Sequence, residues 1–203
     1  ARRAAQSVWP ACGALPVAGR HAGRKARIYV PESAGPAKVA MIREAGADLA
    51  VVPGAYADAL EQALAYEAET GAMQIHAYDA LGTVGGQGTV ALEWEEQGLD
   101  ADTVIIAVGG GGLIGGSMAW FDGRRRVIAV GPETSCALNA ALKAGEPVDV
   151  EVSGVAANAL GAKRIGQICF DLAVSTGAES VLVTDDAITQ AQQALWRERR
   201  QLV

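Results

Sequence analysis

The chain has 203 residues, half of them apolar and only 5% aromatic, with 25 glycines and a net charge of −6. That size allows one ordinary domain or two small lobes around a real core, and an acidic chain whose basic residues cluster only at Arg124–Arg126 and in the RERR run near Arg200 is poorly suited to nucleic acid. Cys12, Cys136 and Cys169 are odd in number and lack metal-ligand spacing, so they read as reduced thiols; no apolar stretch is long enough to span a membrane, and a cytoplasmic protein is expected.

Residues 1–23, ARRAAQSVWPACGALPVAGRHAG, show neither a 2-residue nor a 3.6-residue period, and Pro10 and Pro16 interrupt any helix. An irregular tail is expected there. From Arg27 onward strands and helices alternate. ARIYVP reads as a strand, and PAKVAMIREAG as a helix with Val39, Met41 and Ile42 inward and Gly46 as its C-terminal cap. DLAVVPG is the next strand. YADALEQALAYEAETG is a helix with Leu60 and Leu64 on one face, ending at Gly71. MQIHAY is strand-like, and GQGTVALEWEEQG reads as a helix introduced by its glycines.

DTVIIAV (Asp102 to Val108) is a short β-branched run suited to a buried parallel strand. A glycine loop follows, then LIGGSMAWF with Leu113, Ile114, Met118 and Phe121 at helical spacings, then the strand RVIAV. After a less regular stretch, one Ala-rich helix is expected over AANALGAKRIGQICFDLAVSTG. SVLVT is the last strand, and Asp185 or Asp186 is expected to cap the closing helix, AITQAQQALWRERR. The alternation predicts an α/β fold of open, mostly parallel sheets with helices on both faces, in two lobes spanning residues 24–77 and 78–203.

The chemistry concentrates at VGGGGLIGG, Val108 to Gly116. A strand, a glycine run and a helix start together turn unpaired backbone N–H groups toward one point, which is how a phosphate is held. Glycine there admits φ > 0 and keeps side chains away from the anion. Gly110, Gly112 and Gly115 also satisfy the dinucleotide fingerprint G-x-G-x-x-G, with Glu133 after the next strand, so a nucleotide-binding oxidoreductase stays open on this evidence. His21 and His76 have no Ser, Cys or Asp at telling spacing.

HAYDALGTVGGQGTVALEWEEQ, DTVIIAVGGGGLIGG and RVIAVGPE together resemble the serine/threonine dehydratases of fold type II among the pyridoxal phosphate enzymes, and ARIYVPESAGPAKVAMIREAGADLAVVPGAYADAL is similar to the smaller lobe of that family. The resemblance covers roughly Gly23 to Val203. It implies that the amides of Gly109, Gly110, Gly111 and Gly112, with Leu113, hold the cofactor phosphate, and that Gln87, Gly88 and Thr89 open a helix lining the cofactor cleft. A plain glycine-flanked helix start explains the last three equally well. Asn158 and Ala159 fall where relatives often carry Asp followed by Gly or Ser near the cofactor ring.

The departures are as informative. Lys25, Lys38, Lys143 and Lys163 are the only lysines, and none lies in a segment like T-G-S-F-K, where the family forms its Schiff base. The S-x-G-N loop that grips the substrate carboxylate should precede the helix before ARIYVP and is not seen; a frameshift before Gly23 would account for that. The Ser, Thr or Cys that partners the pyridine nitrogen would follow Val203. Gly131 and Ala137 stand where some relatives place metal-binding acids, so no metal is expected.

The resemblance therefore implies the central portion of a threonine or serine dehydratase, truncated at both ends. The complete enzyme would use pyridoxal phosphate, act on L-threonine or L-serine, and form a homo-oligomer, as a dimer, whereas this chain alone is expected to be inactive. A racemase or β-replacement activity is the nearest variant, and a non-catalytic remnant is the alternative reading.

Overall fold

The structure is a computed structural model that describes residues 4–7, 17, 19, 21, 23–32, 34–54 and 56–202. The chain divides into two compact units, residues 1–80 and 81–203. Among the described residues no helix is long and apolar enough to cross a membrane.

The first unit contains β1 (Ala4–Ser7), β2 (Ala26–Pro31), α1 (Pro36–Glu44), β3 (Asp48–Val52), α2 (Tyr56–Thr70) and β4 (Met73–Gln74). Its sheet runs β3-β2-β1-β4, all parallel. Alternation along β2 assigns the two faces. Ile28 and Val30 pack with Ile42 of α1, whereas Tyr29 packs with Ala59 and Ala63 of α2.

Several expectations are corrected here. Ala4–Ser7 is a strand, not part of an irregular tail: it is too short to show a period, and pairing on both sides with β2 and β4 defines it. Pro10, Cys12 and Pro16 lie outside the described residues. Met41 is 55% exposed, because Ile42 takes the inward position of α1. Gly46 does end α1, at φ +78°, with its N–H donating to Arg43 O at 2.9 Å.

MQIHAY is a strand only at Met73–Gln74. Beyond it, His76 Nδ1 accepts from the backbone N–H of Asp79 at 2.9 Å and of Tyr78 at 3.4 Å, folding the chain into a turn. That geometry requires an unprotonated Nδ1, and burial holds the His76 pKa below its usual 6.5 against the opposing pull of Asp79. A lowered folded-state pKa contributes stability above the unfolded value that is lost as pH falls through the folded one. Urea unfolding is expected to show stability dropping as pH falls below about 6.5, and His76→Asn, which keeps an acceptor without titrating, should remove that component of the drop.

The second unit contains α3 (Leu81–Glu96), β5 (Thr103–Ala107), α4 (Gly112–Phe121), β6 (Arg126–Pro132), α5 (Ala137–Ala144), α6 (Ala157–Leu160), α7 (Gln167–Thr176), β7 (Glu179–Val183) and α8 (Asp185–Arg199). Its sheet runs β5-β6-β7, again parallel. Val104, Ile106, Val127 and Ala129 face one core with Ile114, Met118 and Phe121 of α4 and Cys169 and Phe170 of α7. Burying each large apolar side chain contributes roughly 1.5–3 kcal/mol.

The other face of this sheet leaves Ile105 67% and Val181 43% exposed. Ile106→Ala is therefore expected to cost about 2–5 kcal/mol, and Ile105→Ala less than about 1 kcal/mol, in denaturant unfolding.

The structure corrects the sequence in four further places. α3 begins at Leu81, so Gly82, Gly85, Gly86 and Gly88 lie inside it and do not introduce it. The less regular stretch contains α5. The Ala-rich run is two helices, α6 and α7, interrupted from Gly161 to Gly166. Thr184, not either aspartate, caps α8: its hydroxyl accepts from Ala187 N–H, and Asp185 and Asp186 occupy the first turn. Arg124 and Arg125 pair with Glu95, and Arg126 pairs with Glu179.

Candidate functional site

β5 stays paired to β6 one residue beyond its end, through Val108 N–H to Val130 O at 2.9 Å. The backbone then turns through Gly109, Gly110 and Gly111, and α4 starts at Gly112. Gly111 is the N-cap, with φ +97° and ψ 0°, a left-handed conformation that disfavours any residue with a Cβ. Its carbonyl accepts the first helical bond, from Gly115 N–H at 2.8 Å.

Among the described residues, the N–H groups of Gly109, Gly110, Gly111, Gly112 and Leu113 donate no hydrogen bond within the protein. Five successive amides thus stand unsatisfied at the positive end of a helix dipole, and the first turn of α4 holds no acidic side chain to compete for them. Such a loop can hold a phosphate dianion by charge-assisted bonds.

The glycines answer to the protein wall as well as to an anion. A Cβ on Gly109 would lie 3.0 Å from Leu160 Cα, and one on Gly111 would lie 2.6 Å from Cys169 Cβ and 2.9 Å from Ile165 Cδ1. The wall is itself tied to the loop: Gly166 N–H donates to Gly110 O at 3.0 Å, and Ser135 Oγ, almost fully buried, donates to Leu160 O at 2.9 Å. Sequence reasoning missed Ser135, Leu160, Ile165 and Cys169. Only the paired glycines 161 and 166, which break the Ala-rich run, hinted that this segment folds back onto another.

The remaining candidates fall in two places. Gly88 is buried against α4, where a Cβ would lie 3.0 Å from Gly116 O. Gln87 and Thr89 flank it on exposed positions of α3, and the Thr89 hydroxyl donates to Gly86 O at 2.8 Å. Asn158 and Ala159 are exposed on α6, next to the Leu160 that abuts Gly109. Glu133, the dinucleotide candidate, lies in the turn after β6 with an exposed side chain and a backbone N–H bonded to Val183 O.

A family model described as pyridoxal-phosphate dependent enzyme matches residues 11–203. The chain is 33% identical over 181 residues to the biosynthetic L-threonine dehydratase IlvA of Escherichia coli, covering 88% of this chain and 35% of that protein. It is 31% identical over 172 residues to the L-threonine ammonia-lyase of Thermotoga maritima, covering 83% of this chain and 43% of that protein. Its fold is similar to the processed form of threonine deaminase isoform 2 from Solanum lycopersicum, with TM-score 0.89 and 25% identity over all of this chain and 60% of that one. Maize serine racemase is similar at TM-score 0.87 and 26% identity, over 95% of this chain and 59% of that one. The chain thus spans 35% and 43% of the two curated relatives.

Proposed function

Because the chain belongs to the pyridoxal-phosphate dependent enzyme family, we propose that Gly109, Gly110, Gly111, Gly112 and Leu113 hold the phosphate of that cofactor in part of an ammonia-lyase acting on L-threonine or L-serine. Family membership displaces the oxidoreductase reading of the same loop. The observation that carries the proposal is the run of five unsatisfied amides at the start of α4. The residues fit the group: the loop offers N–H donors in excess and no acid, which is the chemistry a phosphate monoester requires.

The chain's own part is to anchor and orient. The amides would bind the phosphate oxygens, the α4 dipole would favour their negative charge, and the Leu160, Ile165 and Cys169 wall would keep the loop from collapsing onto them. Pyridoxal phosphate itself supplies the electron sink through which a β-hydroxy amino acid loses its Cα proton and hydroxyl to give a 2-oxo acid and ammonia. Asn158 and Ala159 on α6, and Gln87 and Thr89 on α3, are the positions proposed to lie nearer the ring and cleft. A homodimer in the complete enzyme and a cytoplasmic setting complete the reading.

The test is binding. Titrating the chain with pyridoxal phosphate, followed by absorbance and equilibrium dialysis, should show saturable uptake that inorganic phosphate weakens and NAD does not. Absence of saturable uptake, or competition by NAD alone, would overturn the proposal.

A further inference from the structure

Two neighbouring glycines of α4 differ sharply in what surrounds them. A Cβ on Gly115 would meet Cys169 and Val84 atoms at 3.6 Å, an ordinary contact. A Cβ on Gly116 would overlap the backbone N of Gly88 and the backbone O of Val84, and would lie 2.8 Å from the carbonyl carbon of Gln87. From the other side, a Cβ on Gly88 would lie 3.0 Å from Gly116 O and 3.5 Å from Gly116 C. α3 and α4 therefore touch backbone to backbone, with nothing flexible between them to yield.

We infer that the Gly88–Gly116 crossing is a positioning device for the phosphate loop, which makes Gly88 in the GQGT segment a support of α4 and not a contact of the cofactor. The inference rests on the reading of Gly109–Leu113 as a phosphate site. A rigid helix transmits displacement: α4 begins at Gly112, one turn before Gly116, so pushing Gly116 away from α3 shifts the amides of Gly112 and Leu113. Preorganised donors lose their advantage when displaced by a fraction of an ångström to an ångström. Val84, buried in α3 one turn before Gly88, extends the same contact along the helix.

The experiment compares Gly88→Ala, Gly116→Ala and Gly115→Ala in the full chain. Pyridoxal phosphate affinity is measured by equilibrium dialysis, the bound phosphate by its phosphorus-31 resonance, and the fold by circular dichroism. The expected result is a loss of about tenfold or more in affinity for Gly88→Ala and Gly116→Ala, equivalent to weakening one hydrogen bond to a charged group. Their phosphate resonance should shift, and Gly115→Ala should match the parent in both. Parent-like affinity and resonance in folded Gly88→Ala and Gly116→Ala would overturn the inference while leaving the proposed function standing. No saturable binding by the parent chain would overturn the proposed function first. If Gly116→Ala does not fold, Gly88→Ala decides, because its Cβ meets a single carbonyl group; if that variant also unfolds, the crossing is merely structural and the inference fails.

Discussion

Gly111→Val is expected to abolish pyridoxal phosphate retention. Two independent effects act at that position. The backbone is left-handed, at φ +97°, and a β-branched residue is among the least tolerant of that region. The added side chain would also enter the space of Cys169 and Ile165, two buried groups of the α7 side of the core. Strain of this kind costs about 1–3 kcal/mol, and overpacking a similar amount, so the loop would rearrange to escape both. Because the peptide units on either side of Gly111 carry the unsatisfied amides, any rearrangement that relieves the clash turns donors away from the phosphate. Binding should fall by at least about a hundredfold, which is 2.7 kcal/mol. Circular dichroism should stay close to the parent, since Ile114, Met118 and Phe121 still anchor α4 in its core. Retention of the cofactor at parental affinity by a folded Gly111→Val chain would remove this loop from the site.

The loop was legible in the sequence because its cause is local. A β-branched run, four glycines and a helical apolar pattern follow one another without a break, and each constrains the backbone of its own residues. Gly88 was not legible in the same way. Its partner, Gly116, belongs to another helix, and nothing near GQGT distinguishes a glycine that admits a ligand from one that admits a neighbouring backbone. Inside α3 the glycines were read as a helix start for a physical reason, their poor helix propensity, which packing of α3 on α4 overrides. The Ala-rich run failed in the opposite direction. Its composition favours one long helix, but a Cβ on Gly161 would overlap Ala157 O, and Gly166 is drawn to Gly110, so the chain breaks where it must reach the loop. Met41 was read as inward because it is large and apolar, whereas Ile42 is the buried residue of α1; on α2 the packing against the first sheet is made by Ala59 and Ala63.

Given pyridoxal phosphate and either L-threonine or L-serine, this chain is expected to release no 2-oxo acid above the rate seen with the free cofactor. The reaction needs an amine that first holds the cofactor covalently and then moves the Cα proton. Lys25 is exposed just before β2, Lys38 lies in α1, and Lys143 is exposed in the last turn of α5. Lys163 is exposed in the connection between α6 and α7, with its carbonyl accepting from Val150 N–H at 2.8 Å. None belongs to the strand, loop and helix start that form the phosphate site. A positioned acid–base group is typically worth about 10²–10⁴ in rate, and its loss comes on top of a cofactor held by its phosphate alone, without a covalent anchor. Borohydride reduction of the mixture, followed by digestion and mass spectrometry, should therefore give scattered surface labelling without one dominant pyridoxyl-lysine. Stoichiometric labelling of a single lysine together with turnover would refute the expectation. Lys163 would then be the first residue to replace, because the segment that carries it is bonded through Gly166 to Gly110 of the loop itself.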